Sequence, residues 1–411
     1  MPAKTLLHSA EVAHMVESAP EVGVEPKDVS LDLPAVIARK RRIIKNFADA
    51  RIDEIKQFPL FRGKPRFSGS RELRVDGTVI RAAKFVFATG SIISAPAIAG
   101  LQEAGYLTSD DFMEIDEPPD SIIVIGGGPV GCEFAQYLAR LGAKTTLLQQ
   151  SDTLLCKEDP DIGAALQRGL EKDGVTVMTG VTVLDVKRDE KVKLVRVRRD
   201  GKAETLNATQ VLLASGRHAN VQGFGLDKAG VDHDGSGVKV DEYLQTSNPD
   251  IFAAGDVLDG RKLLHVAVYQ GRLAVQNGFG STKTAADYDL QRARSVFTDP
   301  QVAVAGLSES ECRMRGIEFK CAKHPFEDLG KAITANCEEG FIKMLAAPDG
   351  HILGVTLVGA DAGDLIHEAI SLLYFKATVH DVLSMPHLHP TMAEILTYPA
   401  QELRGEIAAA R

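Results

Sequence analysis

The residues whose types and spacing bear most directly on chemistry are glycines, and the chemistry they suit is phosphate binding. Gly126-Gly127-Gly128-Pro129-Val130-Gly131 sets Gly126, Gly128 and Gly131 in the three glycine positions of G-x-G-x-x-G. The first glycine permits a tight turn, the second admits a pyrophosphate, and the third lets a helix pack closely on a strand. An apolar run, Ser121–Ile125, precedes the turn, and a helical pattern from Pro129 to Leu141 follows it. That context makes the motif a dinucleotide site, with the pyrophosphate resting on the N-terminal end of the helix. The next strand, Thr145–Leu148, ends in Gln149-Gln150. An acid there would mark the free ribose of NAD, and a nearby Arg the 2′-phosphate of NADP. Neither charge is present, so both nucleotides stay open.

Other reactive residue types give less. The five cysteines, Cys132, Cys156, Cys312, Cys321 and Cys337, form no C-x-x-C or metal-spaced set. They read as small buried hydrophobes or inert thiols, and no metal site is expected. A formal net charge of -9 disfavours a nucleic-acid partner. The one basic cluster, Arg39-Lys40-Arg41-Arg42, lies in a helical pattern from Pro34 to Phe47 and reads as a solvated helix face. No apolar run approaches a bilayer-crossing length, and residues 1–20 carry Lys4, Glu11 and Glu17 with no apolar signal core. The expectation is therefore a cytoplasmic protein without a membrane partner.

The elements that must hold these residues follow from periodicity. Thr5–Val16 suits an amphipathic helix, and Glu72–Val75 and Thr78–Arg81 read as strands around the Asp76-Gly77 turn. Behind the linker Glu117–Asp120, a strand–helix–strand unit spans Ser121–Leu148. A helix Ile162–Lys172 and strands Val175–Met178, Val181–Lys187 and Gln210–Ala214 continue it. Phe87–Gly90, Leu213–Gly216 and Phe252–Gly255 repeat one arrangement, an apolar strand running into a glycine. Such strand ends suit a ligand crevice, because a residue without Cβ lets backbone approach the ligand. From Arg294 the texture changes to a separate α+β domain, with strands Lys343–Leu345 and Ile352–Val358 and a helix across Asp364–Phe375.

In this order, Ala88-Thr89-Gly90-Ser91, Gly126–Glu133, Ala214-Ser215-Gly216-Arg217, Ala254-Gly255-Asp256-Val257, Phe297-Thr298-Asp299-Pro300 and His387–Glu394 resemble the pyridine nucleotide-disulfide oxidoreductases. Dihydrolipoamide dehydrogenases and mercuric reductases are nearest in pattern. The resemblance implies an α/β fold with two Rossmann-like nucleotide-binding domains and a C-terminal α+β dimerisation domain. Its expected segments are 1–117 and 247–293 for FAD, 118–246 for NAD(P), and 294–411 for the contact of a homodimer.

In that family hydride passes from nicotinamide to flavin and on to a C-x-x-x-x-C disulfide, and the substrate is a small disulfide or a protein-bound lipoyl group. By the match, Thr89, Gly90 and Ser91 would line FAD, Asp256 would accept from its ribityl chain, and Lys262, Leu263, Leu264 and His265 would surround the flavin. Gly126, Gly127, Gly128, Pro129, Val130, Gly131, Cys132, Glu133, Gln149, Val181 and Gly216 would contact NAD(P). Lys4 matches the lysine beside the reacting flavin nitrogen, and Glu133 its carboxylate partner. His389 and Glu394 match the acid–base histidine and the carboxylate that orients it, while His387 reads as structural.

The sequence departs from the pattern at its start. The family's first FAD-binding strand–turn–helix and its cysteine pair would precede Met1, and no cysteine occurs before Cys132. The expectation is an N-terminally clipped sequence with an incomplete FAD part and a complete NAD(P) part, unable by itself to run the disulfide relay and binding FAD weakly. A non-catalytic nucleotide-binding or dimerisation partner, and a cysteine-independent flavin diaphorase, are the alternatives. The tail lacks the cysteine pair expected of a mercuric reductase, so dihydrolipoamide or a related disulfide is the expected substrate.

Overall fold

A computed structural model describes residues 1–260, 262–289 and 291–409. Arg411, the expected end of the last segment, and positions 261 and 290 of the third lie outside the described residues. The chain divides into two compact units. One comprises Met1–Lys45, Ala95–Ser215 and Arg292–Arg411, and the other Asn46–Ser94 and Gly216–Gln291.

In the first unit, four parallel strands lie in the order Gln210–Leu213, Ser121–Ile125, Lys144–Leu148 and Thr176–Met178. The Ser121–Ile125 strand is apolar almost throughout because both of its faces are covered, and Ile122 and Val124 are fully buried. The helices Pro129–Arg140 and Pro160–Lys172 flank the sheet, each opening with Pro at its first position, where the missing N–H costs nothing. An antiparallel meander of Thr182–Asp189, Val192–Arg199 and Lys202–Ala208 follows. Its last two strands went unread in the sequence, although Val195 and Val197 alternate with Arg196 and Arg198 ahead of the turn signal Asp200-Gly201.

The helix at the start runs from Pro2 to Ser18, longer at both ends than expected. Leu6 and Ala10 enter the same core cluster as Phe134 and Tyr137 of the helix Pro129–Arg140. The second helix, Leu33–Ile55, corrects the reading of its basic cluster. Leu33, Ile37 and Lys40 share its buried face, and Lys40 is 2% exposed. Its Nζ donates to the Met113 carbonyl at 2.5 Å and to the Glu114 carboxylate. The helical period dictates this: position 40 falls on the stripe of 33 and 37, so its stem is buried and its ammonium must find partners.

The C-terminal part of this unit is a five-stranded antiparallel sheet in the order Arg294–Val296, Gln301–Gly306, Ile352–Gly359, Phe341–Ala346, Lys320–Pro325. The helices Ala362–Tyr374 and Thr397–Ala409 supply Ile366, Ala369, Leu403 and Ile407 to its core.

The second unit holds the Pro65–Gly69, Glu72–Val75, Thr78–Arg81 meander, a parallel pair of Phe85–Phe87 with Ile251–Ala253, and an antiparallel pair of Ser91–Ile93 with Arg217–Ala219. Phe67, Phe85, Phe87 and Phe224 meet in its core with edge-to-face or tilted rings. No described helix is long and apolar enough to cross a membrane, and no metal-holding cluster occurs among the described residues.

Candidate functional site

The glycine turn takes the shape its spacing required. Gly126 sits at φ +117°, where a side chain would be strained, and its N–H donates to the Leu148 carbonyl at 2.8 Å. A Cβ on Gly131 would lie 1.8 Å from the Gly126 carbonyl oxygen, so the helix can start here only with glycine. A Cβ on Gly128 would meet nothing within 4 Å. That open side, backed by the free N–H groups of a helix start, fits a pyrophosphate.

Around the turn, Gly127 donates its N–H to Gln149 Oε1 at 2.9 Å, and Gln149 is 9% exposed. Val181 is buried and ties its N–H to the Gln149 carbonyl at 2.9 Å. Cys132 is fully buried, with Sγ 3.5 Å from the Gly127 carbonyl, and burial pushes its thiol far above the ordinary range. It packs as a small apolar side chain. Val130, one residue into the helix, is 43% exposed.

One turn further into this helix, Glu133 faces back to the first helix of the chain. Its Oε1 accepts Lys4 Nζ at 2.5 Å and the Phe297 N–H at 3.0 Å. The Lys4 ammonium also lies 4.4 Å from the centroid of the Phe297 ring. The side chain of Lys4 is 40% exposed and that of Glu133 6%. A buried carboxylate thus fixes a half-open cation, with an aromatic face as a second support. Phe297 was quoted in the sequence only as part of a motif.

In the C-terminal part of the same unit, His389 Nδ1 lies 2.9 Å from Glu394 Oε1. The other carboxylate oxygen accepts the Thr391 N–H at 2.8 Å, and the Thr391 hydroxyl donates to the Leu388 carbonyl at 2.7 Å. The Thr391 N–H and then the His389 ring hold the Glu394 carboxyl below the usual carboxylate range. His389 itself is 77% exposed at its side chain, so its Nε2 edge is presented outward.

Apart from Lys4, the expected FAD residues lie in the second unit. Ser91 Oγ donates to Asp256 Oδ2 at 2.8 Å. Arg217, which the sequence reading gave no role, donates from Nε to Ser91 Oγ at 2.9 Å and from Nη2 to the Ser91 carbonyl at 2.8 Å. The Thr89 hydroxyl donates to the Asn220 carbonyl at 2.7 Å, and Lys262 Nζ to the Asp256 carbonyl at 2.7 Å. Leu263 caps the helix Leu264–Phe279, and Leu264 and His265 are exposed at its start. Gly90, Gly216 and Gly255 all have positive φ, so the repeat of strand ends is a repeat of backbone shape. A carboxylate oriented by a serine, beside glycine backbone, fits a polyhydroxyl chain. Gly216 belongs to this unit, whereas Gly126–Glu133, Gln149 and Val181 belong to the first.

The first unit carries a glycine turn shaped for a pyrophosphate and, in a loop of its C-terminal part, an exposed histidine paired with a carboxylate, while the strand-end carboxylate stands in the second; these features fit nucleotide binding and acid–base chemistry. The family models agree: "Pyridine nucleotide-disulphide oxidoreductase" matches residues 1–271, and its dimerisation domain matches residues 292–400. The chain belongs to the pyridine nucleotide-disulphide oxidoreductase family. It is 33% identical over 400 residues to a mercuric reductase of Bacillus cereus, covering 96% of this chain and 63% of that protein. It is 35% identical over 419 residues to a dihydrolipoyl dehydrogenase of Thermus scotoductus, covering 99% of this chain and 88% of that protein. Its fold resembles the flavoprotein disulfide reductase RclA of Escherichia coli, with a TM-score of 0.85 at 24% identity over 97% of this chain and 89% of that one. LpdA of Mycobacterium tuberculosis gives a TM-score of 0.86 at 24% identity over 98% and 89%.

Proposed function

We propose that the protein carrying this chain is an FAD-dependent, NAD(P)H-linked disulfide reductase or dithiol dehydrogenase of the dihydrolipoamide type. It works as a cytoplasmic homodimer on a small disulfide or a protein-bound lipoyl group. Segments 1–117 and 247–293 would hold FAD, 118–246 NAD(P), and 294–411 the dimer contact.

The observation that carries the reading is the His389–Glu394 pair, 2.9 Å apart with the imidazole exposed. With Nδ1–H donated to the carboxylate, the Nε2 lone pair faces outward, ready to accept a proton from a dithiol. Glu394 fixes that tautomer and stabilises the charged ring.

When bound, the flavin and nicotinamide supply hydride transfer, which no side chain of this protein performs. The chain's own residues bind and orient. Backbone at Gly126–Gly131 and the helix start would hold a pyrophosphate, with Gln149 and Val181 beside the nucleotide. Thr89–Ser91, Asp256 and Lys262–His265 would hold the flavin, and Glu133 fixes the Lys4 ammonium, the kind of positive charge that stabilises a reduced flavin.

The test is to purify the protein that contains this sequence from its native source, and to assay lipoamide and other small disulfides with NADH and NADPH. Disulfide-dependent oxidation of either nucleotide is expected. Flavin-bound protein that oxidises nucleotide only through quinones or oxygen would overturn the reading.

A further inference from the structure

The loop that carries His389 is held at both ends by histidine–carboxylate pairs. The loop leaves the short helix Val379–Ser384 and re-enters helical structure at Met392. Its far end is tied down by Glu394, through His389 and the Thr391 N–H. At its near end, His387 Nε2 lies 3.0 Å from Glu368 Oε1, and His387 Nδ1 lies 3.2 Å from the Met385 carbonyl.

The two rings sit in opposite environments. The side chain of His387 is 10% exposed and that of His389 77%. Glu368 stands on the helix Ala362–Tyr374, whose Ile366 and Ala369 are anchored in the core of the antiparallel sheet. Leu388, between the two histidines, is 78% exposed and contributes little packing to hold the loop. Both partners of His387 are acceptors; a neutral ring carries a single N–H, which in the Nε2–H tautomer goes to Glu368.

We propose that His387 and Glu368 are positioning residues: their hydrogen bond pins the near end of this loop to the helix Ala362–Tyr374 and so fixes the tautomer and aim of His389. The inference rests on the reading of His389 as the acid–base group and adds the device that holds it. A loop tied only through Glu394 could pivot about that carboxylate. The His389 ring would then exchange its Nδ1–H bond for contacts with water. A second tie from a rigid helix removes that freedom, which is what a general base needs for a constant geometry.

The experiment is NMR of the His389 ring in the 411-residue chain with ¹⁵N-labelled histidine, at alkaline pH where imidazole is neutral. The ring nitrogen shifts report which nitrogen carries the proton, and they need no turnover. In the parent chain the Nδ1–H form should dominate. His387→Leu and, separately, Glu368→Leu should shift His389 toward the mixture of free histidine, with the Nδ1–H to Nε2–H ratio falling about fivefold, the scale on which members of one hydrogen-bond network couple. Glu368 is on the partly exposed face of its helix, so its variants serve if His387→Leu fails to fold. Glu368→Gln keeps an acceptor for His387 and should restore the parent spectrum. Leucine variants that leave the His389 spectrum unchanged would overturn the proposal, as would a Glu368→Gln variant indistinguishable from Glu368→Leu. A protein that proves not to reduce disulfides would leave these spectra untouched, so the two readings fail separately.

Discussion

Glu133 and Lys4 stand 129 positions apart and meet in a 2.5 Å hydrogen bond, and the same carboxylate oxygen takes the Phe297 N–H at 3.0 Å. One buried oxygen therefore joins the first helix, the helix of the glycine turn and the first strand region of the antiparallel sheet. Glu133→Ala would leave the Phe297 N–H and the Lys4 ammonium without this partner. Lys4 is half-open to water, which discounts the lost ion pair. A stability loss of about 1–3 kcal/mol is expected, mostly from the orphaned N–H. Urea unfolding measures it, and a variant that melts with the parent would show that the pair holds a charge in place without holding the fold.

Gln149 spends its side-chain oxygen on the Gly127 N–H at 2.9 Å. It brings no charge to the nucleotide, so NAD and NADP should bind within about a hundredfold of each other, roughly 2.7 kcal/mol. Gln149→Glu keeps an acceptor for the turn and adds the acid that favours a free ribose. It should raise the preference for NAD by about tenfold or more. Calorimetry with both nucleotides decides, and an unchanged ratio would move the discrimination to another residue.

On the proposed reading, His389→Gln removes the group that takes a proton from the substrate. Disulfide turnover of the active enzyme should fall by about two orders of magnitude or more. Flavin reduction by NAD(P)H, measured in a stopped-flow absorbance experiment, should survive, because on the same reading it draws on the glycine turn and Lys4. Equal loss of both would show that His389 holds the fold or the dimer together.

Lys343 is 3% exposed and donates to Asp159 at 2.9 Å, Asp161 at 3.0 Å and Glu309 at 3.0 Å. Burial alone would lower its ammonium, and the three carboxylates more than reverse that, holding it above the ordinary lysine range. Burial would likewise raise Asp159 and Asp161, yet their bonds to lysines, with Ser310 helping Asp159, bring both below the usual value. Carboxylates depressed in the folded state stabilise it above their unfolded value of about 3.9, and that stability is lost as pH falls through the lower folded values. The raised lysine stabilises fully below about 10.4, and that contribution is lost only as pH climbs through its higher folded value. The cluster is thus at full strength between those limits. Lys343→Met leaves the buried Asp159 facing the partly exposed Asp161 and Glu309 and should cost about 3 kcal/mol at neutral pH. Part of that loss should disappear in acid, where the carboxylates protonate. A neutral-pH urea midpoint equal to the parent's would refute this account of the cluster.

Much of the chemistry was legible in the sequence because it is written in local backbone constraints. Gly126 and Gly131 had to be glycine for reasons of turn shape and close backbone approach, and Gly128 leaves the side of the turn open. The strands Glu72–Val75 and Thr78–Arg81 fell where Asp76-Gly77 placed them, and Ser121–Ile125 where its apolar run did. The capping of Glu394 back onto Thr391 is likewise a short-range event, three residues long.

What only the tertiary structure decided is which charged and polar side chains are buried together. Lys40 was read as solvated along with its charged neighbours, although it lies on the apolar stripe of its helix, because the Met113–Glu114 segment that receives its ammonium is not visible in sequence. The four members of the Lys343 cluster are scattered between positions 159 and 343. Gln149, expected beside the nucleotide, also braces the glycine turn, and the loop residue His387 meets Glu368 of the helix Ala362–Tyr374. The physical reason is the same throughout. Periodicity and turn chemistry act between neighbours in the chain, whereas a buried polar group is satisfied by whatever packing brings near it, and that choice is made by the whole fold.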